Sequence, residues 1–221
     1  MEDNTDTNGV RENCVIERLA NITTTLNTLG LIRYAGINEE HRYFCTPVNA
    51  IIFASEGMDG VHHCIIPAVG DLLLENSPMY TVNPSDPYDP IFITAANLYN
   101  FISLTIETGF AGAMEGIRWM TKEQFADYLK DNEKPMCEYL DATRLKEIAE
   151  ERKKAIAALE EGFCGKLRKI TDVYDYVTQL QAKTDISAIQ LPPEYYELQN
   201  FSNDPTETTA SEIFFISVFP N

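Results

Sequence analysis

Histidine is scarce in this chain, at three in 221 residues, and Lys+Arg number 17 against 34 Asp+Glu. Little imidazole leaves little acid–base equipment near neutral pH. The deficit of cations gives a net charge of −17 and a pI near 4.5. A field of that sign repels nucleic acid and anionic membrane surfaces and speeds encounter with cationic partners. Solubility alone also accounts for an acidic surface. The five cysteines, Cys14, Cys45, Cys64, Cys137 and Cys164, are odd in number and include no Cys-x-x-Cys pair. That fits neither a disulfide framework nor a zinc knuckle, and it predicts buried free thiols in a reducing compartment. No apolar run reaches membrane-spanning length. Met1-Glu2-Asp3-Asn4-Thr5-Asp6 is acidic and polar, the opposite of a secretory signal. The expected location is the cytoplasm.

Signatures of catalysis are missing too. There is no Gly-x-x-x-x-Gly-Lys and no dinucleotide fingerprint. Ser55 is not in a Gly-x-Ser-x-Gly elbow, and Cys164 has no histidine near it in sequence. His62 and His63 are adjacent, so on a strand they point to opposite faces and cannot share a metal there. One is expected to be buried and hydrogen-bonded, the other exposed. Asp86 and Asp89 lack the ligand spacing of a calcium loop. Lys166, Arg168 and Lys169 form too small a basic cluster for a nucleic-acid surface. The chain therefore reads as no enzyme, with no cofactor and no metal site.

What is present is a set of short strands followed by helices. Val15, Leu19, Ile22, Leu26 and Leu29 recur at helical spacing and end at Gly30, although Thr23-Thr24-Thr25 disfavours a helix. Arg42–Cys45, Ile51–Ala54, Val61–Ile66, Met79–Val82 and Ile91–Ile93 read as strands. Their close succession predicts an antiparallel, hairpin-built sheet. Asp59-Gly60 supplies the φ-permissive pair of a tight reversal. Asn83 to Pro90 carries three prolines, Pro84, Pro87 and Pro90, and must be an exposed, stiff, acidic loop.

Thr94 is expected to cap a helix with Leu98, Phe101, Ile102, Thr105 and Ile106 on its inner face. Thr121-Lys122-Glu123-Gln124 is a capping box, and Asp141 caps a third helix. The stripe of that third helix, Leu145 to Phe163, and the next stripe, Ile170 to Leu180, suggest a helical hairpin. Leu191-Pro192-Pro193 should end the helical region, and the apolar run Ile213–Phe219 should add a strand to the sheet. Tyr174, Tyr176, Tyr195 and Tyr196 fit either an interface or the core.

The fold class expected is α+β. Five motifs occur in order: Thr46-Pro47, FAS-x-G-x-DGVHH, P-x-Y-x-V-x-P, N-x-Y-x-F-I-x-L and G-x-x-G-x-M-E-x-I. This ordered set resembles the SUKH superfamily of fungal cell-wall synthesis regulators and bacterial toxin-immunity proteins, and the resemblance covers about Val15 to Leu129. The family's commonest pattern has a glycine or aspartate about where Glu56 and Met58 stand here. The resemblance implies helices packed on a strongly bent antiparallel sheet over residues 10–135. Residues 136–221 lie outside the resemblance and are expected, from their apolar stripes, to form a helical hairpin extension and a C-terminal strand packed on the same core. The resemblance also implies a protein-binding module with no shared catalytic residues. The expected partner is a cognate toxin, such as a cationic nuclease, met by the acidic side chains of Glu56, Asp59, Asp86 and Asp89 and by Tyr88 as aromatic anchor. The alternatives are a housekeeping scaffold acting through stable homo-oligomeric or protein contacts, and a small-molecule or metal-binding hydrolase near His62 and Cys64.

Overall fold

The two apolar runs around Asp59-Gly60 pair as a hairpin. Both turn residues take positive φ, 53° at Asp59 and 70° at Gly60, the pairing that a primed turn requires. Gly60 is also needed for space, since a Cβ there would lie 2.5 Å from the Tyr43 ring. The hairpin belongs to a computed structural model that describes residues 20–35, 42–57, 59–67, 74–139 and 141–202. The run Ile213–Phe219, with the strand expected of it, lies outside the described residues, as do Val15 and Leu19.

The strands are β1 (Tyr34–Ala35), β2 (Ile51–Ser55), β3 (His62–Ile65), β4 (Met79–Val82) and β5 (Ile91–Ala95). They form one meander in the order β1-β2-β3-β4-β5, with every pairing antiparallel. The protein is thus α+β. The strand expected at Arg42–Cys45 is not one. Tyr43 N–H donates to the Thr46 hydroxyl at 2.8 Å and Thr46 N–H donates to the Tyr43 carbonyl at 2.9 Å, which closes a turn in its place.

Helix α1 (residues 20–28) ends at Gly30, φ 68°, in a Schellman arrangement: Leu31 N–H donates to the Leu26 carbonyl and Gly30 N–H to that of Asn27. Its threonines bond back one turn, Thr24 to Ala20 and Thr25 to Asn21, which satisfies their hydroxyls inside the helix. Helix α2 (Leu98–Thr108) is capped by Asn97, whose side chain accepts from Asn100 N–H. Thr94 does not cap it. Thr94 stands inside β5 with its hydroxyl 2.7 Å from that of Thr81. A 3₁₀ segment, Ala111–Arg118, leads to α3 (Lys122–Tyr139), whose capping box forms in both directions between Thr121 and Gln124.

Asp141 caps α4 (Ala142–Gly162), and α5 (Val173–Lys183) follows. α5 lies chiefly against β5 and the 3₁₀ segment, and α3 meets both α4 and α5. The two stripes share one core: Leu159 and Phe163 at the end of α4 and Val173 and Val177 of α5 join the same buried cluster as Phe53, Ile65, Phe101 and Met114. α3 also runs through positions 135 and 136. Pro193 begins α6 (Pro193–Ser202) rather than ending the helical region, because proline suits a first helical position that needs no N–H.

The sheet is covered on both faces. One carries Ala54, Ile65, Met79 and Ala95 under α2 and its neighbours. The other carries Cys64, Tyr80, Val82, Ile91 and Ile93 under Cys45, Ala50 and Tyr195. Burial in this second cluster pushes the Cys45 and Cys64 thiols up to about 12. Cys164, expected to be buried, is exposed in the α4–α5 connection at φ 51°. Brief iodoacetamide treatment of the native protein should alkylate Cys164 and spare Cys45 and Cys64, as read by peptide mass mapping. Labelling of all three at one rate would contradict this packing.

Candidate functional site

Because β3, β4 and β5 are buried throughout, each polar residue they carry needs a partner. His63 supplies a row of them. Its Nδ1 lies 2.8 Å from the Thr81 hydroxyl, which continues to Thr94, and its Nε2 lies 3.0 Å from Glu56 Oε1. On the opposite face His62 sits between the Gly60 carbonyl and the Thr46 hydroxyl, stacked at 5.7 Å on Tyr43. Both histidines are therefore fully buried, where one exposed ring was expected. The covered second face is the cause.

Glu56 is the main correction to the expected contact residues. It is buried, with its carboxylate turned to His63 and seated against Gly112, where a Cβ would come within 2.8 Å of Oε2. That explains the second glycine of G-x-x-G-x-M-E-x-I. Such a group holds the fold from within and leaves a partner little of its surface.

Asp59 in the β2–β3 turn and Asp86, Tyr88 and Asp89 in the β4–β5 loop stand at the same end of the sheet. The β2–β3 turn and the β4–β5 loop both leave from the His62–Val82–Ile91 level of neighbouring strands. The loop is buried at its base and exposed at its tip. Asn83 N–H donates to the Pro90 carbonyl at 2.7 Å, and Asn83 Oδ1 accepts from Ser85 N–H at 2.8 Å. The Asn83 amide donates to the Glu115 carboxylate. Arg118, one turn on, pairs with Asp89 and lies 3.5 Å from Asp86. Its guanidinium rests 4.7 Å from the Phe92 ring centroid and 4.8 Å from that of Trp119. From α6, Gln199 donates to the Pro87 carbonyl. Tyr88, at the tip, is 71% exposed.

Arg118, Trp119, Glu115 and Gln199 belong to this end of the molecule and were not anticipated there. Trp119, the one tryptophan, was a usable signal, since it follows an arginine and stands 62% exposed. The tyrosine stripe divides. Tyr174 donates to the Met120 carbonyl, Tyr176 accepts from Asn100, and Tyr195 is buried against Phe44, while Tyr196 is exposed.

Burial pushes the Glu115 carboxyl above the usual range. Neighbouring Glu56 adds to the rise, whereas Asn83, His63 and Arg118 oppose it. A raised carboxyl binds its proton more tightly in the folded chain than in the unfolded one. Stability from this group is therefore present at low pH and lost as pH rises from the ordinary carboxylate range through the folded value. Glu115→Gln keeps an acceptor for Asn83 and removes the titration. Urea melts across that range should fall less steeply with pH in the variant than in the parent. An unchanged slope would refute the assignment.

Among the described residues, no group of three His, Cys, Asp or Glu side chains could hold a metal ion, and no helix is long and apolar enough to cross a membrane. Compared with known proteins, the chain matches no family model, no curated protein and no solved structure.

Proposed function

We propose that this chain is a non-catalytic binding module of the cytoplasm. In this reading it holds a basic protein against the acidic, loop-bearing end of its sheet, as an immunity protein holds a cationic toxin. One observation carries the reading. Tyr88 is presented to solvent on a loop braced from beneath by Glu115, Arg118 and Gln199. A loop so held loses little entropy on binding, and tyrosine gives large contact area at low entropic cost. The SUKH-like motif order supports the same class of function, and the charge of −17 supports a basic partner.

Affinity purification of the tagged chain from its native cell tests this. The expected result is one basic protein in stoichiometric amount, released by moderate salt and lost by about tenfold or more in Tyr88→Ala. Recovery of no protein overturns the proposal, as does recovery of one whose retention ignores both salt and Tyr88.

A further inference from the structure

Four large hydrophobic side chains stand exposed among the described residues, Val48, Tyr88, Trp119 and Tyr196; one is on the β4–β5 loop, and two lie on segments that bond to it through Arg118 and Gln199. Tyr88 is at the tip of the loop. Trp119 is joined to it through Arg118, which stacks on the indole and pairs with Asp89. Tyr196 is joined through α6, where Gln199, three residues on and thus on nearly the same helical face, bonds to Pro87. Asp59, Asp86 and Asp89 lie at the same end, and Arg118 balances at most one of these carboxylates.

We infer that Tyr88, Trp119 and Tyr196 form an aromatic frame that receives arginine side chains from a protruding basic segment of the partner. This rests on the binding-module reading and adds the chemistry of the contact. The fold already contains the mode of recognition. Arg118 lies over the Phe92 and Trp119 rings, its Nη2 bonds to the Asp89 carboxylate and its Nη1 lies 3.5 Å from that of Asp86, so rings and carboxylates together hold it there. Exposed rings next to uncompensated carboxylates offer an incoming guanidinium the same surroundings. Arginine suits them better than lysine because its plane stacks on rings and its charge is less strongly hydrated. The frame also assigns a part in binding to α6, far along the chain from the loop that it flanks.

Trp119 is the sole tryptophan, so the intact chain reports on its own frame. The test titrates it with nona-arginine, nona-lysine and nona-glutamate peptides while following tryptophan emission. Nona-arginine should change the emission and bind several-fold more tightly than nona-lysine, and nona-glutamate should do nothing. Tyr88→Ala and Tyr196→Ala should each weaken nona-arginine about two- to fivefold. Both rings are exposed, and matching thermal melts would show that the variants fold. Equal binding of the two cationic peptides, or binding that leaves Trp119 emission unchanged, overturns the frame. A captured partner that needs Tyr88 but ignores Tyr196→Ala and Trp119→Ala also overturns it while sparing the module. Capture of no partner removes the module itself.

Discussion

His63→Leu should cost the fold about 3–5 kcal/mol, as much as any single substitution in the sheet. The ring is fully buried, engaged on both nitrogens, and 5.1 Å from the Phe101 ring. Leucine fills much of the space but strands two groups. The Thr81 hydroxyl keeps only Thr94, and the Glu56 carboxylate loses its hydrogen-bond partner in a side chain 11% exposed. Leaving a buried hydroxyl short costs about 1–3 kcal/mol, and a carboxylate costs more. Glu56→Gln should be milder alone, and the two changes together should cost less than their sum, with a coupling of about 1–3 kcal/mol. Urea unfolding of the four proteins measures this. A loss under about 1 kcal/mol for His63→Leu, or strict additivity, would mean that Glu56 faces solvent after all.

Phe101→Ala is the second large effect, at about 3–5 kcal/mol. Phe101 has no exposed surface and meets Phe53 edge-on at 6.0 Å, so it is the point where α2 seats on the sheet. Packing there comes from α2, β2 and β3 at once, which leaves little freedom to close the cavity. Against a total stability of roughly 5–15 kcal/mol, such a loss removes about a fifth of it or more. Phe101→Leu should recover most of it. Circular dichroism melts of both variants decide the matter. An alanine variant melting within a few degrees of the parent would place Phe101 outside the main core.

Local signals could be read directly from the residues. The β2–β3 reversal needs only the backbone freedom of Asp59-Gly60, and the caps at Thr121 and Asp141 need only the three residues that follow each. Short apolar runs separated by Gly, Pro, Asn and Asp place β2 to β5 within a residue or two and predict an antiparallel, hairpin-built sheet. Proline was misread at residues 192–193, since the same ring that stops one helix can begin another.

What a polar side chain does was decided only by the folded chain. Glu56 looks like a solvent-facing carboxylate in its turn until Gly112 and His63 close around it. Thr94 looks like a cap until Thr81 arrives beside it from the neighbouring strand. Arg118 and Gln199 reach the β4–β5 loop from 29 and 112 residues away. The physical reason is the range of the interactions. Helix caps, turn conformations and hydrophobic periods are settled within a few residues, so the sequence alone determined β2 to β5, the turn between β2 and β3 and the starts of α3 and α4. Burial and pairing depend on which distant element covers a face, and so the tertiary structure chose which acidic residues remain for a partner and which rings surround them.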